Sequence, residues 1–171
     1  AATAGPRVHA LIDTGALITG LSNHSVAERL LSLGLSRWCE GVVFLDDSDE
    51  KMILVKATGR VLKLSQCGIS VEKRFAFYDQ IHTTGMDIKH CLTARAALTR
   101  GKDMVCRDLA QGAFRMRGIG KGQTIELLVT PEVHQLMRRQ LSKAGRASTA
   151  TLRRHAALEA ARRTDQFWRQ I

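Results

Sequence analysis

Gln111, Arg115 and Arg117 lie close together in the segment RDLAQGAFRMRGIGKGQTIELLV, which runs from Arg107 to Val129. Arginine suits phosphate because its planar fork of donors matches phosphate oxygens and its charge does not titrate away. Gln111 and Arg115 are four apart and share a helix face, whereas Arg117 points elsewhere unless the helix has ended. Gly118, Gly120 and Gly122 predict such an ending. Earlier in the chain a polar turn, Thr83-Thr84-Gly85-Met86-Asp87, follows an apolar run. Two readings of the arginines stand side by side. They gather at an anion site, or they pair with Asp87 or Asp108 and stitch the loop to the helix.

Other residue types invite other chemistry. Cys67 sits in a Gln66-Cys67-Gly68 turn, and a thiol there could act as a nucleophile with His82 or His90 as base. The alternative is a small buried hydrophobe. The string ALIDTGA at Ala10–Ala16 is similar to the active-site loop of retroviral-type aspartic proteases, in which a dimer pairs two aspartates; Asp13 would be the one catalytic residue per chain. The four cysteines, Cys39, Cys67, Cys91 and Cys106, form no CxxC pair, which predicts reduced thiols in an intracellular protein, cytoplasmic or nuclear. His90-Cys91 is an isolated neighbouring pair, so no metal site is expected.

The elements that must hold these residues alternate between strand and helix. Val8–Asp13 is a short apolar strand ending in an acid at a Thr-Gly turn. Ser22 or Asn23 can cap a helix with Val26, Leu30, Leu31 and Leu33 on its apolar face, and Gly34 fits its end. Val42–Asp46, Met52–Lys56, Arg60–Leu64, Arg74–Asp79, Arg95–Thr99 and Gln123–Thr130 read as further strands, with a hairpin around Thr58-Gly59. Asp103–Met116 reads as a helix capped by Asp103, and a helix over Glu132–Leu141 follows Pro131. Apolar runs alternating with helices predict an α/β fold with a parallel sheet covered on both faces. Ligands of such sheets bind beyond the carboxyl ends of the strands. That edge would gather Asp13–Gly15, Asp79–Gln80, Thr83–Asp87 and the start of the arginine helix.

At 171 residues the chain is one domain by length, and no apolar run approaches a membrane span. It lacks an initial methionine and reads as a segment of a longer protein. The net charge of +10 is uneven: Arg138–Ile171 holds nine Lys/Arg against two Asp/Glu, which is +7 of the total. A folded unit over 1–142 is therefore expected to precede a linker and a basic helical tail over 143–171. The tail would meet nucleic acid or the remainder of the parent chain.

The run GMDI at Gly85–Ile88, then AALT at Ala96–Thr99, then Gln111, Arg115 and Arg117 before a glycine-rich turn and an apolar strand resembles the second RecA-like lobe of superfamily-two helicases. The resemblance implies a RecA-like sheet and ATP as a cofactor only together with a first lobe. It makes Gln111, Arg115 and Arg117 catalytic contributors, and Thr84, Gly85, Asp87 and Lys121 contacts to nucleotide or nucleic acid. Phe114 stands where that family carries a glycine, Arg117 lies one position early, and Asp79 replaces a threonine. The longer strings HALIDTGALITG, FYDQIHTTGMDIKH and RDLAQGAFRMRGIGKGQTI are similar to those of a family of very large eukaryotic proteins labelled ubiquitin thioesterases. That resemblance implies a ubiquitinyl hydrolase with ubiquitin as a partner, for which Cys67 with His82 or His90 would be the candidate pair. No GxxxxGK[ST] loop is present, so ATP hydrolysis by this segment alone is not expected. A lobe kept as an interaction scaffold is the third expectation.

Overall fold

The computed structural model describes residues 7–35, 38–83 and 85–143, with the side chains of Ser142 and Lys143 left aside. Thr84 and the basic tail after residue 143 lie outside the described residues. Seven strands form one sheet: β1 (Ala10–Ile12), β2 (Gly41–Leu45), β3 (Lys51–Val55), β4 (Val61–Lys63), β5 (Arg74–Tyr78), β6 (Arg95–Arg100) and β7 (Thr124–Val129). Their order is β4-β3-β2-β5-β1-β6-β7. The helices are α1 (Asn23–Ser32), α2 (Cys106–Ala113) and α3 (Pro131–Lys143).

The sheet is mixed rather than parallel throughout. β2, β5, β1, β6 and β7 run parallel, but β3 and β4 are antiparallel additions at one end. The reason is local. Only five residues separate β2 from β3, and an antiparallel return needs no helical crossover, whereas a parallel one does. The expected hairpin closes at Gly59, which has φ +64° and donates its N–H to the Val55 carbonyl.

Strand alternation sends side chains to two faces, and each face has its own apolar cluster. Ala10, Ile12, Val43, Leu45, Ala76, Tyr78, Ala96 and Leu98 face one way, packed by Leu109 and Ala113 of α2 and by Ile88 and Met116 from loops. Leu11, Val42, Phe44, Phe75, Phe77 and Ala97 face the other way, against Val26, Ala27 and Leu30 of α1. Burying each large side chain of these runs stabilises the fold by about 1.5–3 kcal/mol. The alanines on the first face leave room for the chain after β5 to lie close upon the sheet.

Helix α1 starts as expected, with Ser22 Oγ accepting the Ser25 N–H at 3.1 Å. Leu33 falls outside the apolar face and is largely exposed at the cap. Helix α2 is shorter than expected at both ends. Asp103 does not cap it; the carboxylate of Asp108 turns back to accept the Val105 N–H at 3.1 Å. Its last residue is Ala113, so Arg115 and Arg117 lie in the turns that follow it. Among the described residues, no helix is long and apolar enough to cross a membrane.

Candidate functional site

The residues singled out by the sequence separate into two places. The first is a clamp. Arg115 donates from Nη1 to the Met86 carbonyl at 2.6 Å and to Asp87 Oδ1 at 2.9 Å. Arg117 grips the same carboxylate through both Nε and Nη2, the shortest contact being 2.8 Å to Oδ2. The arginines therefore make the ion pairs with Asp87, not with Asp108. The early end of α2 makes this geometry available, because Arg117 would leave the shared face if the helix continued. The two arginines differ in setting: the Arg115 side chain is 9% exposed and that of Arg117 is 60% exposed. Hydrogen bonds from Arg117, helped by the charge of Arg115, hold Asp87 below the usual carboxylate range.

Beneath the clamp the chain after β5 is pinned by Tyr78. Its hydroxyl accepts the Ile88 N–H at 3.0 Å and lies 3.2 Å from His90 Nε2. Burial pushes the phenol pKa up. Burial, with a smaller effect of the charge of His9, lowers His90 to about 4, so its ring is neutral at pH 7. Gly85 takes φ +83° at the exposed start of this stretch, a conformation glycine adopts freely. Lys121 is exposed in the glycine turn after Arg117, its backbone N–H donating to the Gly118 carbonyl at 2.9 Å.

The second place is a cleft at the carboxyl edge, with a volume of about 440 Å³, formed by the residues after β1, β5 and β6 and by α2. Gln111 reaches it; Asp87, Arg115 and Arg117 do not line it. Its position follows from the winding of the sheet. After β1 the chain leaves for α1 on one face, and after β6 it leaves for α2 on the other. Neighbouring strands whose continuations diverge in this way open a crevice between them. Two glycines close its floor: a Cβ on Gly15 would come within 2.5 Å of the Gly101 nitrogen. Helix α2 approaches through Gly112, where a Cβ would meet Thr14 Oγ1 at 2.3 Å. Gly101, Gly112 and the part Thr99 plays in holding the Asp13 loop went unread in the sequence. The signal was a glycine immediately after one strand, Gly101 after β6, and another inside a helix, Gly112 in α2.

The loop after β1 is built around Asp13, which is 1% exposed. Its carboxylate accepts N–H bonds from Leu17 at 3.0 Å and Ile18 at 2.8 Å, and the Thr99 hydroxyl at 2.7 Å. Thr99 Oγ1 in turn accepts the Gly15 N–H at 2.9 Å. The aspartic-protease expectation fails here: Asp13 is enclosed at the centre of an open α/β sheet, its oxygens occupied, with no face to offer a second copy.

Cys67 and His82 are not brought together either. The Cys67 carbonyl is held by Arg74 at the start of β5, and its side chain packs against the first apolar cluster. His82 lies past the other end of β5. Both of its ring nitrogens face carboxylates, Nδ1 on Asp79 and Nε2 on Asp49 at 2.8 Å. His90 is committed to Tyr78. Among the described residues no group of three or more His, Cys, Asp or Glu could hold a metal ion.

No protein-family model, curated protein or solved structure matches the chain. Its own geometry is the ground for any functional reading.

Proposed function

We propose that this chain is a RecA-like lobe of the kind that forms the second half of a superfamily-two helicase core. In this reading it brings Arg117 and Gln111 to a nucleotide or nucleic-acid cleft completed by a first lobe elsewhere in the parent protein. ATP is the nucleotide of the two-lobe unit. The observation that supports this reading most is the union of the GMDI loop with the two arginines through Asp87. A phosphate arriving at the clamp can exchange with the half-exposed carboxylate for Arg117, and the same exchange would loosen the loop. Arg115, buried on the Met86 carbonyl, holds the loop instead of reaching for a ligand. One fact favours the scaffold reading as the second choice: without a ligand, both guanidinium groups already share the Asp87 carboxylate.

The test is anisotropy of a labelled single-stranded RNA, and separately of a labelled ATP analogue, titrated with the full chain at low salt. Arg117→Ala is expected to weaken binding by about three- to tenfold, the scale of one charge-assisted contact. Asp87→Asn, which releases Arg117, is expected to bind at least as tightly as the native chain. Identical affinities in all three proteins would sink the phosphate role and leave the scaffold.

A further inference from the structure

We propose that Phe114 is a stacking platform for a base of single-stranded nucleic acid, flanked by phosphate contacts at Arg107 and Arg117. The proposal rests on the nucleic-acid half of the reading above and adds a contact that engages bases as well as charge. The turn after α2 decides how the ring stands. Arg115 donates its N–H to the Gly112 carbonyl at 3.1 Å, and Met116 to that of Ala113 at 3.0 Å, so the chain tightens past the helix end. In such a winding, residues three apart lie one above the other. Arg115 and Met116 turn inward, which leaves Phe114 and Arg117 on the outer side. Phe114 is 60% exposed and belongs to neither apolar cluster. Its ring therefore contributes little to the core.

Charge along the same ridge selects the partner. Arg107 precedes Phe114 by about two helical turns on the same side of α2. It is exposed and makes no ion pair among the described residues. The segment Arg107–Lys121 carries four cations and one acid, Asp108, whose carboxylate is turned to the Val105 N–H. Asp87 offsets one more charge from the clamp. A flat apolar surface between two cations matches a strand with planar bases and an anionic backbone. Every base has a π-face, so an aromatic ring holds the base while arginines follow the phosphates, whatever the sequence. A duplex hides those faces within its own stack and could meet only the arginines. An acidic peptide would satisfy the charges, but it has no need of a planar ring, and leucine would serve it equally.

The experiment measures anisotropy of three labelled probes of the same length with the full chain: single-stranded RNA, an abasic strand, and an RNA duplex. RNA is expected to bind about fivefold or more tighter than the abasic strand, the scale of one stacked base. Phe114→Ala and Phe114→Leu should erase that preference while keeping the salt dependence, and Phe114→Trp should retain it. All three change an exposed position and should melt with the native chain. Arg107→Ala should weaken both strands alike and lower the slope of log affinity against log salt by about 0.7. The duplex should be indifferent to every change at Phe114. Equal affinity for RNA and the abasic strand, or a base preference that survives Phe114→Ala, would overturn the proposal; if Arg117→Ala still weakened binding, the phosphate role would stand without it. Loss of base preference in Phe114→Ala, with no effect of Arg117→Ala, would support the platform with Arg107 as its phosphate contact and sink the role of Arg117. A Phe114→Leu variant that binds like the native chain would overturn the stacking and mark the ridge as a surface for a protein.

Discussion

Asp87 carries two guanidinium groups of unequal standing, and burial ranks them. Arg115 is enclosed, hydrogen-bonded to the Met86 carbonyl as well as to the carboxylate, and its Nε is buried without a partner. Removing it leaves the half-buried Met86 carbonyl without this donor and a cavity in the first apolar cluster's cover. Arg117 makes more hydrogen bonds to Asp87, yet both members of that pair are half or more exposed to water. Exposed pairs are worth about 0–1 kcal/mol, while breaking a buried pair costs about 3–5 kcal/mol. Urea unfolding should therefore give a loss of about 2–4 kcal/mol for Arg115→Ala and about 1 kcal/mol or less for Arg117→Ala; equal losses would mean that the hydrogen-bond count, not burial, governs the clamp. His90 sets a pH window of its own. Its folded pKa of about 4 lies below the ordinary 6.5, so its contribution is complete above pH 6.5 and drains away as pH falls toward 4. His9, lowered by burial and by Arg7 and Arg95, adds to the loss below pH 6.5. Asp87, held below the carboxylate range, loses its contribution only in more acid solution. Stability measured at pH 4.5 should be about 2–3 kcal/mol below that at pH 7.5, and His90→Gln should remove most of that difference.

Helix α2 is the element on which both places depend, because it lends Gln111 to the cleft and delivers the arginines to the clamp. Its seat is Gly112 against Thr14. An alanine there gains about 1 kcal/mol of helix propensity, but its Cβ would lie 2.3 Å from Thr14 Oγ1 and 3.0 Å from Leu98 Cδ1. The clash wins: overpacking costs about 1–3 kcal/mol, so Gly112→Ala should be destabilised by about 1–2 kcal/mol. Thr14→Ala alone should be close to neutral, since Oγ1 has no partner to lose. The double variant should recover at least half of the Gly112→Ala loss, a coupling that thermal unfolding of the four proteins reads directly. Strands, the α1 cap and the β3–β4 hairpin were legible because each is written in local residue chemistry: alternating apolar runs, a serine before a helix, a glycine at a turn. The end of α2 was not. Gln111-Gly112-Ala113-Phe114-Arg115 continues a helical pattern, and only the pull of Asp87 from a distant loop, together with the turns after Ala113, stops it. The antiparallel pairing of β3 on β2 was hidden for a related reason, since direction depends on connection length as much as on the apolar pattern of the strand.

At the scale of the whole molecule, the sheet gathers three acids at one edge, Asp13, Asp46 and Asp79, each immediately after a parallel strand. The sequence alone could make Asp13 a catalytic candidate; the fold reveals it as the hydrogen-bond centre of a loop, and Asp46 likewise accepts the Ser48 and Glu50 N–H groups of its own turn. An acid after a buried strand serves the turn first, which is why single-residue motifs misled where paired ones, Asp87 with Arg115, did not. Positive charge is arranged differently. Residues 144–171 hold six Lys/Arg against two Asp/Glu, while the clamp carries one exposed arginine, so the two would answer salt on different scales. Each phosphate contact with a single strand contributes about −0.7 to the slope of log affinity against log salt. If the tail engages the strand, ending the chain at Lys143 should reduce that slope by up to about 4 and cost tenfold or more in affinity at low salt. Arg117→Ala in the full chain should lower the slope by less than 1. Binding that keeps its full slope after truncation, yet disappears with Arg117→Ala, would place the entire nucleic-acid contact on the lobe and leave the basic tail for a protein partner.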